Sequence, residues 1–113
     1  MTEVPPADPQ LLLPTIRAQA ASQQLRVTQH AQQEMTQEQI LLDDLLVAIS
    51  NAQVLENYPE HRRGACCLLY GNDEAGRPIH IVCTTAHPML IIITVYLPKP
   101  PKWLSPTQRR QPQ

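Results

Sequence analysis

Apolar positions in this chain recur first at helical and later at strand spacing. Leu42, Leu45, Leu46 and Ile49 stand at i, i+3, i+4 and i+7, which predicts an amphipathic helix over 42–50. Asp43 and Asp44 fall in its first turn, where the helix dipole favours negative charge, and Asn51 is a suitable terminator. Upstream, Thr15 can cap an Ala- and Gln-rich helix over 16–23, and Thr28 a short one over 30–35, with Leu25–Val27 as an apolar connection. Thr36 and Gln39 have capping-box spacing, so a helix break is expected near residue 36. Past residue 53 the period shortens to two. Segments 54–58, 65–70, 77–85 and 89–97 read as strands, separated by Pro59, by the 71–76 turn and by Ala86-His87-Pro88. Helices followed by a four-stranded antiparallel meander is an α+β layout.

Strand alternation assigns faces. If Ala86-His87-Pro88 is the loop, Thr85 pairs with Met89, His80 faces Thr94, and Pro78 faces Tyr96. Ile79, Ile81, Cys83, Ile91, Ile93 and Val95 then form the side that packs on the helices. His80, Val82, Leu90, Ile92, Thr94 and Tyr96 form the other, mixed side, the better candidate for a cleft. A one-residue slip would reverse the alignment.

Composition changes the picture at the ends. Nine of the twelve prolines lie before residue 15 or after residue 97. Proline lacks an amide donor and resists helix and central strand. Residues 1–14 and 99–113 are therefore expected to be disordered tails around one α+β domain over 15–98. Residues 28–97 hold three arginines against eight acids, while the segment beyond carries Lys99, Lys102, Arg109 and Arg110 with no acid. So acidic a body is a poor nucleic-acid clamp, since phosphate binding needs clustered cations. No run reaches the roughly 20 apolar residues of a membrane span. The three cysteines make no disulfide framework, which points to a reducing, cytoplasmic compartment.

Four residues are candidates for chemistry. His30, near a helix start, and His80, on a strand, are potential proton-transfer groups. Arg77 could stabilise charge on a phosphate, and Tyr96 could position one or donate a proton. Thr94 and Tyr58 could contact substrate. No metal or cofactor is expected: no cysteines have C-x-x-C spacing, and His80 and Cys83, three apart on a strand, point to opposite faces.

Thr28-x-His30-Ala31-x-x-x-Met35, Glu56-x-Tyr58-Pro59, Gly76-Arg77-Pro78-Ile79-His80, Ile91-Ile92-Ile93-Thr94-Val95-Tyr96-x-Pro98 and Trp103 together resemble the bacterial domain-of-unknown-function family 4258. The resemblance covers about residues 27–103. Many relatives carry Arg where this chain has Glu34, which removes one cation near the presumed site. The resemblance implies a RelE/BECR-like fold, similar to RelE/ParE-type toxins. It also implies a metal-independent ribonuclease acting on RNA, paired with an antitoxin protein. In that case His30 or His80 would take the proton of a ribose 2′-hydroxyl. The other histidine, or Tyr96, would protonate the leaving oxygen, and Arg77 would stabilise the phosphorane. The alternative is a non-catalytic protein-interaction module of the same fold. Oligomeric state is not legible in the sequence.

Overall fold

The computed structural model describes residues 8–110. Helices come first: a 3-10 turn over Pro9–Leu12, then α1 (Leu13–Ala21), α2 (Gln29–Gln37) and α3 (Leu42–Ser50). The strands are β1 (Leu25–Val27), β2 (Gln53–Tyr58), β3 (Cys66–Asn72), β4 (Pro78–Thr84), β5 (Leu90–Tyr96), β6 (Trp103–Ser105) and β7 (Gln108–Arg109). This is an α+β fold: N-terminal helices against a sheet that is antiparallel from β2 to β5. A fifth strand widens the expected meander. Leu25–Val27, read as a connection, runs parallel to β5 at the sheet edge, giving the order β1-β5-β4-β3-β2.

Local chemistry sets most of the helix ends. The Thr28 hydroxyl accepts from the Ala31 amide at 3.2 Å, the N-cap bond expected of it. α1 begins at Leu13, two residues before the expected cap at Thr15, because the 3-10 turn runs directly into it. The break after α2 comes later than Thr36. That hydroxyl bonds back to the Gln32 carbonyl inside the helix, and the chain reverses at Gln39, whose φ is 55°. At α3 the Asp44 carboxylate accepts from the Leu41 amide at 2.8 Å.

Ile16, Leu45, Ile49, Leu69, Ile79, Ile81, Leu90, Ile92 and Val95 form the buried core between helices and sheet. α3 lies close over β3. A Cβ added at Gly71 would stand 1.9 Å from the Ala48 carbonyl oxygen, so only glycine fits there. Among the described residues no helix covers the other sheet face.

The β4–β5 register departs from the expected one, for a specific reason. His80 faces Tyr96 and Val82 faces Thr94, but Cys83 faces Ile92, which leaves one extra residue on β5. Such a bulge reverses side-chain parity on one side of itself. Thr94, Val95 and Tyr96 keep their expected faces. Leu90 and Ile92 turn into the helix-facing core, and Ile91 and Ile93 are left half-buried, the reverse of the expectation.

The segments read as tails carry structure where they are described. Asp8 caps the 3-10 turn through the Gln10 amide. The Gln10 side chain lies along the outer edge of β2, donating to the Val54 carbonyl and accepting from the Val54 amide, both at 2.9 Å. At the other end β6 and β7 pair as a separate hairpin, with Trp103 only 2% exposed. Proline-rich composition signalled missing backbone donors correctly, but here side chains do the joining. The rest of the two expected tails, 1–7 and 111–113, lies outside the described residues.

Candidate functional site

His80 organises the helix-free face of the sheet. It sits mid-β4 between Tyr70 on β3 and Tyr96 on β5, and the C-terminal hairpin closes over it. Its exposure is 0%. Nε2 lies 2.6 Å from the Pro106 carbonyl, which can only accept, so Nε2 carries the proton. Nδ1 is then an acceptor, and the Tyr96 hydroxyl donates to it at 3.2 Å. Trp103 stands edge-on to the imidazole, with ring centroids 4.4 Å apart and planes at 89°. Burial drives the His80 pKa below its ordinary value, the Pro106 bond opposing and Arg109 adding to the fall. The ring is neutral, with both nitrogens spent.

Around it lies a second layer of polar contacts. Arg109 grips Glu56 with two bonds, Nε to Oε2 at 2.6 Å and Nη2 to Oε1 at 2.8 Å, and its guanidinium lies 4.6 Å over the Trp103 ring. That grip holds the Glu56 carboxyl below its usual range and raises the Arg109 pKa further. The Tyr58 hydroxyl donates to Glu56; burial, and then this bond, push its pKa up to about 12. Tyr96 is half-buried, its pKa raised by burial, with the Lys102 ammonium 5.9 Å from its ring centre. Thr94 is half-buried on the same face, opposite Val82.

The remaining candidates lie apart. Arg77 has the strand parity of Ile79 and Ile81, and its guanidinium works on the helix side. Nε bonds Asp73 at 2.9 Å, and Nη1 and Nη2 cap the Glu38 and Gln39 carbonyls at 3.0 and 3.1 Å. Asp44 stands 3.5 Å away. Arg77 therefore ties the β3–β4 turn to the end of α2. Its amide, bonded to Asp73, is the main reason that carboxyl titrates below its usual range. His30 is exposed on α2, 3.2 Å from Glu34. Glu34 accepts from the Val95 amide at 3.1 Å and closes the free edge of β5 beyond β1.

Of the six site residues read from sequence, the structure brings together His80, Tyr96 and Tyr58 through Glu56 and Arg109, with Thr94 beside them. It separates off His30 and Arg77. Sequence reasoning missed the covering groups. Glu56 was visible only as part of the Glu56-x-Tyr58-Pro59 family cue, with no role given to it. Trp103 carried a family cue but no role, and Pro106 and Arg109 gave no signal. Among the described residues no three His, Cys, Asp or Glu side chains converge to hold a metal ion. Also among them, no helix is long and apolar enough to cross a membrane.

These features define a small α+β domain with a fully partnered histidine under a hairpin on its open sheet face. The chain belongs to the family described as "Domain of unknown function (DUF4258)", whose sequence model matches residues 27–97. Nothing matches among curated proteins or among solved structures.

Proposed function

We propose that this chain is a non-catalytic protein-interaction module that keeps a toxin-like, RelE/BECR-like fold and holds a partner protein of antitoxin type in the cytoplasm. One observation carries the reading: the two groups that phosphodiester cleavage would most need are both committed elsewhere. His80 has no exposed surface and no free nitrogen. Arg77 spends its guanidinium on Asp73 and two helix-end carbonyls, on the opposite side of the sheet. A proton-transfer group must reach the proton it moves, and a charge stabiliser must face the developing charge.

A second reading, a metal-independent ribonuclease, is favoured by the half-buried Tyr96 hydroxyl. It donates to a neutral imidazole, so a phenol proton has an acceptor in place. In that reading Tyr96 would be the acting group and His80 its positioning residue, with Thr94 and Tyr58 at the substrate. Incubating the purified chain with RNA in chelator separates the two. The interaction reading expects intact RNA. Cleavage that disappears in Tyr96→Phe while the thermal midpoint holds would establish the second reading and end the first.

A further inference from the structure

The C-terminal hairpin is attached to the sheet in an unusual way. β6 and β7 form their own sheet, and no backbone hydrogen bond among the described residues joins them to β1–β5. The backbone bonds near the hairpin, Trp103 amide to Lys99 carbonyl and Arg110 amide to Lys102 carbonyl, are internal to the segment. What holds it to the sheet is side-chain chemistry. The Trp103 ring packs against His80, the Pro106 carbonyl accepts from His80 Nε2, and the Arg109 guanidinium takes the Glu56 carboxylate. The family match stops at residue 97, so the receiving face lies within the matched span and its cover outside it.

We propose that the sheet face formed by Glu56, Tyr70, His80 and Tyr96 is a peptide-binding site, filled in this structure by the chain's own hairpin. Its partner is a protein segment that offers an aromatic ring, a free backbone carbonyl and a guanidinium in the same arrangement. The proposal rests on the interaction-module reading and names that module's site and the chemistry it takes. The ring lies edge-on to His80, the carbonyl meets Nε2, and the guanidinium forms a two-point bond with Glu56. Binding of such a segment displaces the hairpin. Because the hairpin is tethered, it competes at the high effective concentration of a short linker, on the order of millimolar, and keeps the site closed to weak ligands.

The test uses full-length chains and a fluorescein-labelled synthetic peptide of residues 98–110. Trp103→Ala and, more mildly, Arg109→Ala release the tethered occupant. Both variants are expected to bind the peptide saturably, at least about tenfold tighter than the wild-type chain. Replacing the tryptophan or the arginine corresponding to Arg109 in the peptide should abolish that gain. Hydrogen exchange on the wild-type chain should show hairpin amides exchanging at least about a hundredfold faster than those of β3 and β4. The absence of saturable binding to folded variants would overturn the proposal. So would hairpin amides protected as well as β4, or failure of both variants to fold, because a displaceable ligand is not required by the core. Concentration-dependent dimerisation of the wild-type chain, lost in Trp103→Ala, would overturn the choice of a foreign segment in favour of a second copy. RNA cleavage by the wild-type chain would end the interaction reading while leaving the peptide result intact, so the two failures are distinguishable.

Discussion

At the scale of single residues, the cost of His80 is set by what its neighbours would lose. Truncation to Ala removes a fully buried ring and leaves the Pro106 carbonyl and the Tyr96 hydroxyl without their partner. Cavity and unpaired polar groups together should cost about 3–5 kcal/mol, read as a lower urea midpoint. Gly71→Ala should also destabilise, by about 2 kcal/mol or more, since the new methyl group meets backbone rather than a movable side chain. Sequence alone marked His80 as unusual, because a histidine inside an apolar strand is conspicuous. It did not say whether the ring would be open or sealed. That depended on Trp103 and Pro106, more than twenty residues downstream, where strand periodicity had ended.

At the scale of elements, two side chains from outside the sheet finish its edges. Gln10 pairs with Val54 on the outer strand, in the manner of an extra strand residue. Exposed strand edges invite pairing with other chains, and covering them is a common protection. Gln10→Ala should therefore cost about 1–2 kcal/mol and speed exchange of the Val54 amide, measured by hydrogen exchange. Glu34 does the same for Val95. Arg77 does for a helix end what these do for strand edges, donating to the Glu38 and Gln39 carbonyls where α2 stops. Arg77→Ala should lower the thermal midpoint, and Arg77→Lys should restore only part of the loss, because an ammonium cannot reproduce the fork of donors. Helix positions were legible because capping is local: Thr28 bonds three residues ahead. Edge-closing roles were not, because Gln10 and Val54 are 44 residues apart.

At the scale of the whole molecule, buried and paired ionisable groups make stability depend on pH, with a definite sign. His80 is held neutral when folded, whereas the free ring titrates near 6.5. As pH falls through that value the unfolded chain takes up a proton that the folded chain refuses, so stability drops. Glu56 is held below its usual 4.5 by Arg109, so its contribution is present above about 4.5 and is lost as pH falls through its lower folded value. Both effects run the same way, towards acid loss. Urea midpoints measured from about pH 8 to pH 3 should decline in two stages. His80→Phe should flatten the upper stage, and Glu56→Gln should shrink the lower one, leaving the part that Asp73 supplies through its bonds to Arg77. An unchanged upper stage in His80→Phe would show that another group causes it. Because Glu56 clasps Arg109, the lower stage should also be where the hairpin loosens first.

The sequence alone determined the three helices and the four antiparallel strands β2 to β5 in their order, the family, and the helix-facing identity of Ile79, Ile81 and Val95. Each of these is written in spacings of a few residues, where one side chain's position constrains the next. Only the tertiary structure decided the parity of Leu90 to Ile93, since a single extra residue in β5 reversed it without altering composition. Strand alternation already put Arg77 and His80, three residues apart, on opposite faces, but only the tertiary structure decided that Arg77 would be taken up by Asp73 and the carbonyls at the end of α2. It also decided that a proline-rich end would fold back, because Trp103, Pro106 and Arg109 find their partners through space and leave no periodic trace along the chain.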